Sequence, residues 1–165
     1  MKYHKFKAGE EAGTYIVDSS VTADDILKMA RQLARNKLSK GSKIQSPKDT
    51  FEYLEALYRN HEHEVFGIIY LNNQNRVIAS EELFRGTIDG ASVYPREVVK
   101  QSLTHNAAAL IIYHNHPSGE PEPSECDKKI TLRLQKALLL VDIKVLDHIV
   151  VATNGCVSLA QRGVL

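Results

Sequence analysis

Cysteine is scarce in this chain: Cys126 and Cys156 are the only two in 165 residues. Two thiols cannot frame a disulfide scaffold, so free cysteines in a reducing compartment are expected. Long apolar runs are missing as well, and nothing approaches the ~20 residues that a membrane-spanning helix needs. The opening MKYHKFKAGEEAGTY lacks the apolar core of a secretion signal. Together these absences predict a cytoplasmic protein with no membrane contact. A dominant charge is lacking too, since 21 Lys and Arg face 20 Asp and Glu for a net charge of +1. That balance argues against a whole-domain nucleic-acid footprint, which runs strongly basic. The chain shows no internal repeat and no low-complexity linker. What it does have is 43% hydrophobic and 25% charged residues, a globular composition, and enough length to bury a core without metal or disulfide staples.

The periodicity changes character along the chain. Residues 1 to about 20 read as a loose strand-like arm. TADDILKMARQLARNKLSK then reads as a helix, with Thr22 as N-cap, Asp25 three residues on, and Ile26, Met29, Ala30, Leu33 and Ala34 as its apolar stripe. Ser46 and Pro47 open a second helix. EVFGIIYLN and RVIASEELF read as strands joined by the turn NNQN. Pro95 starts a helix with Val98, Val99 and Leu103 on its apolar face. AAALIIYHNH is a buried strand, and SECDKKITLRLQKALLL a helix with Ile130, Leu134, Ala137 and Leu138 on one side. KVLDHIVVATNG and CVSLA are strands turning at Asn154 and Gly155. Strands alternating with helices predict an α/β fold, a mixed sheet flanked by helices. The expected division is an N-terminal arm and helix over 1–45 and the sheet domain over 46–165.

Between Ile26 and Lys48 the chain has no acid but carries Lys28, Arg31, Arg35, Lys37, Lys40, Lys43 and Lys48. A solvated helix face with a basic linker explains this run. Weak contact of residues 28–48 with nucleic acid or an acidic partner is the sharper alternative.

The densest chemistry lies in YHNHPSGEPEPSECD, residues 113–127. On an extended strand, His114 and His116 point to one face because side chains alternate. Asp127, at the start of the next helix, supplies a carboxylate. Two imidazoles and one carboxylate match the three protein ligands of a catalytic zinc site, which leaves a fourth position open. Ser124 and Asp127 also have the spacing of a capping box, which by itself accounts for both at a helix start. Spacing leaves the capping and metal readings both open, and they are compatible.

HNHPSGEPEPSECD resembles the H-x-H-x(7)-S-x(2)-D motif of the JAMM (MPN-plus) metalloproteases, with His114, His116, Ser124 and Asp127 in register. EVFGIIYLN, LFRGTI, YPREVVKQSL, HNAAALIIYHNHPSG and DHIVVA resemble, in order, segments of the RadC-type branch of that superfamily. The likeness covers about residues 46–160. It implies a JAB/MPN-like fold with cytidine-deaminase-like layering and a Zn2+ ion held by His114, His116 and Asp127. It implies that Ser124 helps stabilise the oxyanion of a tetrahedral intermediate. It also implies that Glu64 is the general base that passes a proton to the leaving amine. Glu62 is the alternative base if the strand register shifts by one pleat.

HEHE at residues 61–64 contains a second H-x-H. Alternation puts His61 and His63 on the face opposite Glu64, so both are expected to be exposed at a helix–strand junction. His148, inside an apolar strand, reads as a hydrogen-bonded core histidine, with contact to the site as the lesser reading. Cys126 reads as a structural thiol, and Arg96 as a turn or carboxylate anchor. Longer RadC proteins carry a helix-hairpin-helix region associated with DNA binding, and residues 1–45 do not resemble it.

Two functions follow from the likeness. The first is a zinc metallopeptidase cleaving peptide or isopeptide-type amide bonds in a peptide or protein-conjugate substrate. The second is a non-catalytic or DNA-associated metal-binding module in DNA repair. The letters HNH do not make an HNH nuclease, whose three residues are spread over a longer metal-binding unit.

Overall fold

The structure is a computed structural model and describes residues 5–86 and 92–165. Thr87 and Ile88 of LFRGTI, and the first four residues of the arm, lie outside the described residues. The arm forms a small antiparallel hairpin of β1 (Phe6–Ala8) and β2 (Tyr15–Val17). α1 (Ala23–Lys37) follows, and Asp25 accepts from the Thr22 backbone while the Thr22 hydroxyl accepts from Asp25 N, a complete capping box. α1 buries none of its own residues, and Ile26 and Leu33 of the expected stripe are exposed. Burial begins just after it, at Leu38, and Ile44 packs against the same cluster.

α2 (Pro47–Tyr58) starts on Pro47, which needs no N–H partner there. It buries Thr50, Tyr53, Leu54, Leu57 and Tyr58, a helical spacing that lays one face on the sheet. Full burial of a side chain such as Leu54 contributes about 1.5–3 kcal/mol. β3 (Val65–Leu71) is buried throughout, as its unbroken apolar run requires. A turn with Asn75 at φ 57° leads to β4 (Val77–Arg85), and Asn72 Oδ1 accepts from Gln74 N and Arg76 N to close it. α3 (Pro95–Thr104), β5 (Ala109–His116), α4 (Glu125–Leu139), β6 (Lys144–Ala152) and β7 (Gly155–Ser158) complete the chain.

The five-stranded sheet runs β4-β3-β5-β6-β7. β5 and β6 are parallel and joined through α4, while the other pairs are antiparallel. The sheet is therefore mixed and flanked by helices, as the alternation of elements predicts. Its two faces carry two cores. Odd-numbered residues, among them Val65, Ile69, Ile111, Tyr113, Ile149 and Val151, pack under α2. Even-numbered ones, among them Phe66, Ile68, Leu110 and Ile112, pack with Val98, Leu134 and Leu138 of α3 and α4. A methyl group on Gly67 would overlap the Tyr113 ring, so glycine is what lets that ring lie flat over β3.

Two helix faces are rotated from expectation. In α3, Ser102 is buried with its hydroxyl bonded to Val98 O, and Leu103 is 54% exposed. In α4, Thr131 is buried deeper than Ile130. In each case a hydroxyl satisfied by a carbonyl one turn back costs little to bury.

Candidate metal centre

β5 is the strand that carries the site. Its apolar half, Ala109–Ile112, is locked between β3 and β6, and this fixes the face to which the last residues point. His114 and His116 therefore face α4, where Phe66 stacks on His114 with ring centroids 6.4 Å apart. The chain then turns through Gly119 at φ 90° and enters α4, capped by Ser124. Ser124 Oγ accepts from Asp127 N at 3.2 Å, and Asp127 Oδ2 accepts from Ser124 N at 2.7 Å and Ser124 Oγ at 2.6 Å. The capping box thus aims the Asp127 carboxylate at the strand end. The capping reading of Ser124 and Asp127 is realised, and it leaves the Asp127 carboxylate beside both imidazoles.

His114 Nε2 lies 2.9 Å from His116 Nε2 and 3.3 Å from Asp127 Oδ1, and His116 Nε2 lies 3.5 Å from Asp127 Oδ2. Ligand atoms around a tetrahedral zinc with bonds of about 2.0–2.1 Å stand roughly 3.3 Å apart. His114, His116 and Asp127 form one group that could hold a metal ion, and among the described residues it is the only such group. Their side chains are 1%, 18% and 16% exposed, so the open side lies at His116 and Asp127.

The proton positions fit a cation. His116 Nδ1 is 2.8 Å from Glu120 O. A carbonyl only accepts, so Nδ1 carries the proton and the Nε2 of a neutral His116 keeps its lone pair. Burial would raise the Asp127 pKa, but hydrogen bonds with His114, His116 and Ser124 outweigh it and hold the carboxyl well below the usual range. The Asp127 bond raises the His116 pKa. An ionised carboxylate beside two imidazole nitrogens is a donor set suited to a divalent ion.

Glu64 lies just before β3. Phe66 pairs with His114 at the end of the β3–β5 ladder, two residues after Glu64. The charge of Glu64 contributes to the raised His116 pKa. Glu64 O accepts from Gly86 N at 2.9 Å, which ties this position to the β4 side. On the β5 side the buried Asn115 takes over from the ladder, with Oδ1 accepting from Val65 N at 2.7 Å and Nδ2 donating to His63 O at 3.1 Å. One amide thus grips the backbone on both sides of Glu64. Glu62 is exposed in the preceding bend.

Sequence reasoning gave Asn115 no role. The available signal was a polar residue between two histidines on a strand end, which alternation turns toward the α2 face. Thr131 was also missed, although it lies one helical turn from Asp127. His148 is fully buried, and its Nε2 sits 2.8 Å from His114 Nδ1, so the core reading and the contact reading are both realised. Burial pushes its pKa well below normal. Cys126 is exposed, and Arg96 forms an exposed ion pair with Glu97.

The expectation for His61 and His63 needs correction. Both are half-buried, with the His61 ring 5.2 Å from that of Tyr58 and the His63 ring 5.6 Å from that of His61. His63 Nε2 is buried with no hydrogen-bond partner among the described residues. The physical reason is the tyrosine at the end of α2, which offers His61 an apolar surface, and His61 in turn covers His63.

The fold and donor set define a class: α/β proteins with a His–His–Asp group at a sheet end that could hold a metal. The chain belongs to the RadC-like JAB domain family, whose model matches residues 44–164. It is 59% identical over 138 residues to a UPF0758 protein of Cellvibrio japonicus, covering 84% of this chain and 62% of that one. A UPF0758 protein of Thioalkalivibrio sulfidiphilus is 56% identical over 140 residues, with 85% and 62% covered. One from Vibrio cholerae is 48% identical over 149 residues, with 90% and 94% covered. The chain thus spans about 62% of the length of the first two relatives and nearly all of the third. Among the described residues, no helix is long and apolar enough to cross a membrane.

Proposed function

We propose that this protein is a zinc-dependent hydrolase of peptide or isopeptide-type amide bonds. The observation that carries the reading is the convergence of His114, His116 and Asp127 on one point, with the charge of Glu64 acting on His116. Bound there, zinc would supply Lewis-acid polarisation and lower the pKa of a water molecule to about 7. Glu64 takes the proton from the attacking water and delivers it to the leaving amine. Its bracketing by Asn115 and Gly86 fixes the backbone that carries Glu64. Ser124 Oγ is anchored by Asp127 N, and its single proton can rotate from Asp127 toward a developing oxyanion. The substrate is a peptide or a protein conjugate.

The weaker reading is a DNA-associated metal-binding module. Its basic segment is partly neutralised, since Lys28 pairs with Asp24 and both Lys37 and Lys48 pair with Glu52. The test compares wild type with Glu64→Gln. The substituted protein retains zinc, loses hydrolysis, and traps amide-linked partners that wild type releases. Equal loss of zinc in Glu64→Gln would remove Glu64 from the role of base.

A further inference from the structure

Behind the three donor atoms runs a second chain of hydrogen bonds, through the fully buried Thr131 and His148. His114 Nδ1 meets His148 Nε2 at 2.8 Å, His148 Nδ1 meets Thr131 Oγ1 at 2.5 Å, and Thr131 Oγ1 meets Asp127 O at 2.5 Å. The chain starts at one donor residue and returns to the backbone of another. His148 and Thr131 are both 0% exposed, and Phe66 lies edge-on to the His148 ring, so water does not complete any of these bonds.

Two proton arrangements are open to the chain, and only the first puts a proton in all three links. In the first, Thr131 donates to Asp127 O and accepts from His148 Nδ1–H, and His148 Nε2 accepts from His114 Nδ1–H. The proton of His114 is then on Nδ1, and its Nε2 lone pair faces His116 and Asp127. In the second, Thr131 donates to His148 Nδ1, and His148 Nε2–H donates to His114 Nδ1. The proton of His114 is then on Nε2, pointing at Asp127, and that nitrogen cannot bind a metal. Only the first arrangement is competent for an ion, and it requires an acceptor for the buried His148 Nδ1–H. Thr131 Oγ1 is that acceptor.

We infer that Thr131, acting through His148, is a positioning residue that sets the His114 tautomer, holding its Nε2 lone pair toward the metal site. The inference rests on the zinc reading above and adds a determinant of affinity that touches neither the ion nor the reacting atoms. Removing the hydroxyl strands a buried N–H in the metal-competent arrangement but leaves the other arrangement with only an unpaired acceptor. The balance therefore tips against the ion. Loss of such outer hydrogen-bond partners lowers metal affinity by about 10–100-fold.

The test is zinc affinity, measured on metal-stripped protein by competition with a chromophoric chelator, with helicity followed by circular dichroism. Thr131→Val keeps the shape of the side chain and is expected to bind zinc about 10–100-fold more weakly. Thr131→Ser restores the hydroxyl and is expected to return affinity to within about threefold of wild type. Long-range proton–nitrogen NMR on zinc-loaded wild type with labelled histidine needs no variant and is expected to find the His148 proton on Nδ1. A His148 proton on Nε2, a Thr131→Val protein that binds as wild type does, or a Thr131→Ser protein as weak as the valine variant would each overturn the inference. A wild type that takes up no zinc overturns the zinc reading and this inference with it.

Discussion

The chain contains the pattern H-x-H twice, and the two copies have opposite fates. His114 and His116 end a strand paired on both sides, and their side chains share one face with an incoming helix cap. His61 and His63 sit in a bend before β3, where His61 rests on Tyr58 and His63 on His61. Glu82, the acid whose charge acts on His61, is already engaged by Arg85 at 2.7 Å and by the Tyr58 hydroxyl at 3.2 Å. The spacing is the same in both. The difference lies in what fixes the second nitrogen of each ring and whether a third donor arrives, since Glu120 O and His148 fix the first pair and Asp127 completes it.

The largest expected effect follows directly. Asp127→Ala or His116→Ala removes a donor, and near-stoichiometric zinc in the purified protein falls to background by elemental analysis. His61→Ala and His63→Ala leave the zinc content unchanged. Zinc loss from the His61 or His63 variants would erase the contrast between the two pairs.

The pH dependence gives a smaller and graded effect. His116 has a raised pKa because the Asp127 side chain bonds it. Below that pKa a proton occupies the nitrogen that the metal needs, and above it the lone pair is free. Zinc affinity therefore falls as pH falls, by about tenfold per pH unit once His116 titrates. Isothermal titration across pH 5 to 8 reads this slope, and a flat profile would remove His116 from the donor set.

Asn115→Ala is expected to act mainly on stability. It leaves Val65 N and His63 O without their buried partner, a loss of about 1–3 kcal/mol for each group left unsatisfied. Zinc affinity should change by only a few-fold, because the amide holds the Glu64 strand and not the donors. Chemical denaturation and zinc titration on one sample separate the two effects.

Much of this was legible in the sequence for physical reasons. Apolar runs of strand length and caps such as Thr22 with Asp25 and Ser124 with Asp127 act locally, and the elements form where those signals fall. Alternation along a strand and the start of a helix made the approach of His114, His116 and Asp127 legible, while the choice of a metal reading over a capping one came from the likeness to the family motif. Asn115 and Thr131 were not legible, because their partners are remote in the chain: Asn115 meets Val65 50 residues away, and Thr131 meets His148 17 residues away. The burial of His61 depended on where α2 ended. Local periodicity carries no record of such contacts.

The central claim is that one H-x-H pair, together with Asp127, holds zinc and the other does not. Anomalous X-ray scattering at the zinc edge from zinc-loaded crystals tests it most directly. The account predicts one strong peak at about 2.0–2.2 Å from His114 Nε2, His116 Nε2 and an Asp127 carboxylate oxygen. A peak beside His61 and His63, or none at the His114 end of β5, would contradict it.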